Sequence, residues 1–155
     1  MSKPATPPEL PKLGDFLCFA VYSANLAYGR AYKPILDKLG ITYTQWITIV
    51  ALWEQDGQTV SELGDKLFLE SNTLTPILKK LEALGYLERR RDPGDERQVI
   101  VRLTDAGRAL REKGAQRTLV EATGLGAEEF AAARETMHDV RNKLIRHTQD
   151  GQASD

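Results

Sequence analysis

The sequence predicts a mainly α-helical fold with one small β-hairpin. Three observations carry that prediction. Apolar residues recur at three- and four-residue spacing over most of the chain, as one face of a helix requires. The period drops to two between Tyr86 and Leu103. Two capping boxes, Thr42-x-x-Gln45 and Thr59-x-x-Glu62, mark helix starts directly ahead of apolar runs.

Taken in order, the first helix is expected over 14–31, where Phe16, Leu17, Ala20, Val21, Ala24 and Ala27 share a stripe. Pro34 can open a second short helix, Ile35–Leu39, which stops at Gly40. The Thr42 box precedes Trp46, Ile47, Ile49, Val50, Leu52 and Trp53, and Asp56-Gly57 ends that helix. The Thr59 box opens a short helix through about Leu67. Ser71, Asn72 and Thr73 are all candidate N-caps for the next helix, which runs through Ile77, Leu78, Leu81 and Leu84 to Gly85. Pro76 favours a start near Thr73, because a proline in the first turn removes no helical bond. Tyr86–Arg91 and Arg97–Leu103 read as strands joined by the turn residues Asp92-Pro93-Gly94-Asp95. Thr104-Asp105 caps a return to helix. After a break at Thr123-Gly124-Leu125-Gly126, a last helix is expected over about 127–147. There Phe130, Ala133, Met137, Val140 and Leu144 form a seam of nearly coiled-coil period.

Two short capped helices followed by a basic hairpin is the plan of a winged helix-turn-helix. The terminal helices carry apolar stripes but have no sheet to pack on, so they need a partner. The expected organisation is a tail over 1–12, N-terminal helices over 13–40, a winged lobe over 41–104, C-terminal helices over 105–148 and a tail over 149–155.

Composition narrows the function. The chain has 155 residues, 41% hydrophobic and 28% charged, which suits one soluble globular domain. No apolar run approaches the ~18 residues of a membrane helix. The proline-rich stretch Met1–Leu13 lacks the apolar core of a signal peptide, so a cytoplasmic location is expected. Cys18 is the one cysteine, which excludes an intramolecular disulfide, and with two histidines it argues against a structural metal site. The chain has no nucleophile elbow, and Gly124-Leu125-Gly126 lacks the third glycine and preceding strand of a dinucleotide loop, so neither cofactor nor enzyme is expected. Net charge is −1, but residues 71–102 carry +2 against −3 for the remainder. A polyanion would meet that middle third first.

Two clusters could carry function. In the helix-turn-helix, the N-terminal turn of the second helix offers Ser71, Asn72, Thr73 and Thr75 to base edges or phosphates. Lys79 and Lys80 suit the flanking backbone, and Arg89, Arg91, Asp95 and Arg97 furnish the hairpin. An arginine on a thin hairpin can enter a minor groove, with a neighbouring aspartate steadying its head. The plainer alternative is a solvated charged face. The second cluster surrounds Cys18 in the first turns of its helix, where free N–H groups and the helix dipole favour a thiolate. Tyr22 lies one turn away, and Tyr28, Tyr32 and Tyr43 follow, phenols able to donate to sulfur. The plainer alternative here is a small core cysteine among core aromatics.

The chain resembles the MarR family of dimeric winged-helix regulators over about residues 13–147. The marks are Leu74-Thr75-Pro76-x-Leu78-Lys79-Lys80-Leu81, the hairpin Asp92-x-x-Asp95-x-Arg97, and Leu103-Thr104-x-x-Gly107. Within the family it looks most like the organic hydroperoxide-sensing repressors of OhrR type. Leu17-Cys18-Phe19-x-x-Tyr22, Tyr32-Lys33-Pro34-x-Leu36-Asp37 and Ile41-Thr42-Tyr43 carry that likeness. The resemblance implies a homodimer held by the N- and C-terminal helices and astride a palindromic operator in double-stranded DNA. It implies that Cys18 is the thiol oxidised by an organic hydroperoxide, with Tyr32 and Tyr43 reaching it from the partner subunit and Tyr22 nearby. A sensor pocket of Phe16, Phe19, Tyr22 and Trp46 would then favour organic over hydrogen peroxide.

Two departures stand out. Many relatives carry a second cysteine where this chain has Leu119–Thr123; either the oxidised Cys18 reacts with a small cellular thiol or a backbone nitrogen, or a resolving cysteine has been lost or replaced. Asn72 stands where close relatives often have glycine. Two other functions stay open: a regulator released by a phenolic or other aromatic ligand, with Cys18 structural, and a thiol peroxidase, in which a basic hairpin would have no purpose.

Overall fold

A computed structural model describes residues 9–114 and 119–152. These fall into two units that divide between Arg117 and Thr118. In the first, a 3-10 turn at Leu13–Asp15 leads into α1, Leu17–Leu39. This is one continuous helix where the sequence predicts two. Proline's fixed φ is helical, so Pro34 costs α1 one backbone bond. Packing of Leu36, Tyr32 and Leu39 on the core carries the helix past it. It stops at Gly40, which takes the left-handed conformation (φ +70°) that glycine adopts without steric cost.

Both capping boxes form. The Gln45 N–H donates to Thr42 Oγ1 (3.3 Å) and the Thr42 N–H to Gln45 Oε1 (2.9 Å), opening α2, Tyr43–Glu54. The Glu62 N–H donates to Thr59 Oγ1 (3.2 Å) and the Thr59 N–H to Glu62 Oε2 (2.8 Å), opening α3, Val60–Leu67. The helix α3 has only eight residues, so its first turn is a large part of it. Replacing Thr59 with alanine is expected to cost about 1 kcal/mol, read as a lower thermal midpoint; an unchanged midpoint would show that packing alone holds α3.

Helix α4 spans Ser71–Ala83 and begins two residues before the expected start. The N–H groups of Thr73 and Leu74 both bond the Glu70 carbonyl (3.0 and 2.9 Å), so the first turn closes on Glu70 without a side-chain cap. Pro76 therefore sits in the second turn and removes one helical donor. Burial of Leu74, Leu78 and Leu81 offsets that loss.

The hairpin strands are β2, Leu87–Arg91, and β3, Val99–Leu103. They are shorter than predicted because the Tyr86 N–H turns back to the Leu81 carbonyl (3.0 Å) and the Gln98 N–H to the Asp95 carbonyl (2.9 Å). A two-residue strand, β1 at Gln58–Thr59, adds to β3 in the order β1-β3-β2. Ile49, Leu52, Leu63, Leu74, Leu78, Leu81, Leu87 and Val101 are fully buried where α2, α3, α4 and the sheet meet. Helix α5, Asp105–Gly114, returns onto α2. Asp56 fastens the end of α2 to this region, accepting from the Leu103 N–H (3.0 Å) and from Arg108 Nη2 (2.6 Å).

The second unit holds a 3-10 turn, Glu121–Thr123, and α6, Ala127–Gln152. Helix α6 continues into the segment expected to be a tail. The rest of that segment, 153–155, and residues 1–8 of the N-terminal tail lie outside the described residues. Met137 and Leu144 of the α6 seam are exposed. No helix among the described residues is long and apolar enough to cross a membrane.

Candidate nucleic-acid interface and thiol site

Helix α4 sets its first turn in solvent, with Ser71, Asn72 and Thr73 exposed. Thr75, half-buried, donates its hydroxyl to the Ser71 carbonyl (2.7 Å), so only its lone pairs remain for an outside partner. Lys79 and Lys80 are exposed further along. A groove of about 590 Å³ runs between the starts of α3 and α4 and the hairpin, lined by Thr59, Ser71, Thr75, Arg89 and Arg97 among others.

At the hairpin tip the Arg97 side chain is 90% exposed and held by Asp95. Nε of Arg97 donates to Asp95 Oδ1 (3.0 Å), and the Arg97 N–H donates to the same oxygen (3.2 Å). These bonds, the guanidinium's first, hold the Asp95 carboxyl below the usual carboxylate range. With the folded value depressed, the support is complete at neutral pH and fails only as acid protonates Asp95. Arg91 braces the tip from the other strand, donating from Nη1 to the Glu96 carbonyl (2.9 Å).

Arg89, expected among the DNA contacts, also pairs with a carboxylate of α4. Its Nε and Nη2 fork onto Oε2 of Glu82 in α4 (3.1 and 2.7 Å), and its backbone N–H donates to Oε1 (3.1 Å). Three of the five guanidinium N–H groups remain, and the side chain still lines the groove. The pair holds the Glu82 carboxyl below its ordinary value, so the carboxylate is ionised at neutral pH. Glu82 was not legible as a partner, because a carboxylate seven residues before an arginine across a turn has no local signature.

Cys18 is the exposed second residue of α1, following the N-cap Phe16. Around it the Phe19 and Tyr22 rings lie 6.4 Å apart at 33°. Tyr32 and Tyr43 form a second aromatic pair at 5.3 Å and 50°. Burial, then the neighbouring Tyr43 and Tyr28, pushes the Tyr32 phenol up, so it stays neutral and able to donate. Fourteen residues of one helix separate Cys18 from Tyr32, about 21 Å along the axis and within about 40° around it. One chain therefore places them on the same face but out of reach of each other.

Trp46, expected in the sensor pocket, is not exposed as Phe16, Phe19 and Tyr22 are. It is buried in α2, with its ring against Gly114 of α5 and the Arg111 guanidinium 5.4 Å above it. Arg111 lies equally over Trp53 (5.0 Å), clamping α5 onto α2. Only the absence of a side chain on Gly114 leaves room for the indole. Phe16 and Phe19 remain beside Cys18, exposed.

The family described as transcriptional regulator SarA/Rot matches residues 30–113. The HTH-type transcriptional regulator TtmR of Methylorubrum extorquens is 45% identical over 134 residues, covering 85% of this chain and 69% of that protein. The chain belongs to the SarA/Rot regulators, which are MarR-type winged-helix proteins. The organic hydroperoxide resistance transcriptional regulator of Bacillus subtilis is 45% identical over 102 residues, covering 66% of this chain and 69% of that protein. Reduced AbfR bound to DNA superposes with a TM-score of 0.70 at 35% identity, over 86% of this chain and 94% of that one. The SarA/Rot match takes in α2 to α4, the whole sheet and α5 up to its last residue, hence the groove, the hairpin (the wing of this regulator) and the Glu82–Arg89 pair. Cys18 lies outside it.

Proposed function

We propose that this chain is a homodimeric repressor that senses organic hydroperoxides through Cys18 and leaves its operator when that thiol is oxidised. The observation that carries the reading is the position of Cys18. It stands among Leu13, Phe16, Leu17 and Tyr22, all uncovered in the single chain, and a contiguous apolar surface of this kind marks an interface. The Tyr32–Tyr43 pair shares the Cys18 face of α1 but lies about 21 Å away. Two copies with antiparallel α1 helices would bring the Cys18 of one to the tyrosines of the other. The named role of the B. subtilis relative and the capture of reduced AbfR on DNA support the same reading.

On DNA, the first turn of α4 reads a major groove through Ser71, Asn72 and Thr73, and Lys79 and Lys80 hold the backbone. Arg97, steadied by Asp95, enters the minor groove. Oxidation begins when the thiolate attacks the distal peroxide oxygen. The S–O bond forms as the O–O bond breaks, and the departing alkoxide takes a proton and leaves as the alcohol. The sulfur loses its charge, and its charge-assisted bonds to the tyrosines, worth roughly 1.5–3 kcal/mol each, weaken. A small thiol then displaces water from the sulfenic acid to give a mixed disulfide. A hundredfold loss of DNA affinity needs about 2.7 kcal/mol, so one bond per subunit suffices if the dimer has a second arrangement in which its reading helices lose the ~34 Å spacing of two half-sites.

The test is binding to labelled fragments of the gene's own upstream region, before and after one equivalent of cumene hydroperoxide, then after dithiothreitol. Loss on oxidation and recovery on reduction are expected, with hydrogen peroxide acting more slowly. Binding indifferent to peroxide would favour release by an aromatic ligand. Binding to no fragment would exclude the repressor.

A further inference from the structure

We propose that Glu82 is the positioning residue for the wing: by gripping Arg89 it sets the angle at which Arg97 is presented beside the reading helix. The inference rests on the DNA-reading role of α4 and the wing proposed above, and adds a residue that touches no DNA.

Glu82 lies at the end of α4, and Arg89 is the middle residue of β2, paired with Val101 of β3. Three residues, Leu84, Gly85 and Tyr86, connect α4 to the strand, and Gly85 is left-handed at φ +79°. Such a joint fixes where the wing begins; β1 holds the inner strand β3 at Val101 and Ile100, which leaves β2, the outer strand of the sheet, to be held on its free side. Thr104 ties down only the root, donating its hydroxyl to the Gly85 carbonyl (2.6 Å) and its N–H to the Tyr86 carbonyl (3.1 Å).

The Glu82–Arg89 contact is a strut further out. It uses both carboxylate oxygens, and it engages main chain and side chain of the same strand residue. Three bonds to the two oxygens of one carboxylate, one of them from the main chain, resist rotation as a single bond does not. Both side chains are partly shielded from water, at 23% and 37% exposure. The wing tip lies roughly 10 Å beyond the strut at the rise of a β-strand. A tilt of about 10° there would carry Arg97 roughly 2 Å, which exceeds the tolerance of a hydrogen bond.

The expected consequence is energetic coupling between two residues that do not touch. DNA affinity is to be measured by fluorescence anisotropy, on a fragment that the wild-type protein binds, for wild type, Arg97→Ala, Glu82→Gln and the double variant. Arg97→Ala should weaken binding about tenfold or more, the size of a lost arginine–DNA contact. Glu82→Gln, nearly isosteric, should lose a similar factor with its thermal midpoint within a few degrees of wild type. The double variant should be no more than about threefold weaker than Glu82→Gln alone, because a misplaced Arg97 has little left to lose. Netropsin, which fills the A·T minor groove, should compete with wild type and hardly at all with Glu82→Gln. If Glu82→Gln fails to fold, Arg89→Lys keeps a cation on the strand without the fork and carries the same cycle. Losses that multiply in the double variant, or a Glu82→Gln protein that binds as wild type does, would overturn the inference while leaving the DNA reading intact. A wild-type protein that binds no DNA would instead remove the reading on which it rests.

Discussion

Cys18→Ser is expected to bind the operator within about threefold of wild type and to keep that affinity after organic hydroperoxide, whereas the wild type loses at least a hundredfold. The two halves of this result have different causes. Cys18 is exposed at the start of α1 and takes no part in the core, to which α1 contributes only near its other end, at Leu36. Exchanging sulfur for oxygen there should change stability by less than about 0.5 kcal/mol. A serine hydroxyl has no ionised form at neutral pH and does not attack a peroxide, so the switch has no first step. The hundredfold change in the wild type equals about 2.7 kcal/mol, within reach of one charge-assisted bond per subunit. Anisotropy titrations with and without cumene hydroperoxide measure both halves. A Cys18→Ser protein that still releases DNA on oxidation would move the sensor elsewhere. One that still releases DNA with a phenolic ligand, beside a wild type blind to peroxide, would make Cys18 structural.

What the sequence made legible was local. The capping boxes at Thr42 and Thr59 each complete themselves within four residues, so α2 and α3 begin where the pattern puts them. The alternation in Val99–Leu103 places Val101 and Leu103 inward, as their burial shows. Where the outcome depended on partners distant in sequence, the pattern was silent or misleading. Pro34 signals a break, but the core contacts of Leu36 override it. Strand β1 has two residues and exists only because β3 offers an edge. Trp46 sits at helical spacing suited to several faces, and only Gly114, 68 residues later, decides where its ring goes. Arg89 looks like every other arginine of the wing until Glu82 takes it. The proposed thiol site shows the same limit, since one chain leaves Cys18 and Tyr32 about 21 Å apart along α1.

The second large effect is expected at Gly107. Replacing it with alanine should destabilise the winged lobe by about 3 kcal/mol or more, at or beyond the upper end for overpacking. The added Cβ would lie 2.0 Å from the Tyr86 carbonyl oxygen, with the Leu103 side chain 3.0 Å away. A side chain could move aside, but this oxygen belongs to the backbone where α4 passes into β2. It already accepts from the Thr104 N–H (3.1 Å), and the Thr104 hydroxyl caps the Gly107 N–H (3.2 Å). Relief therefore requires α5 to lift off the root of the wing, which also strains the Asp56–Arg108 tie that fastens α5 to α2. For a chain of this size each kcal/mol is worth about 2–4 °C, so the midpoint should fall by roughly 6–12 °C. Leu81→Ala, which opens a cavity in the core beside the same joint, calibrates the scale at roughly 2–5 kcal/mol. A Gly107→Ala midpoint within 2 °C of wild type would mean that α5 and the wing root are not rigidly joined. A loose joint there would also weaken the case for a strut at Glu82, because a wing free to slide at its base gains nothing from being held further out.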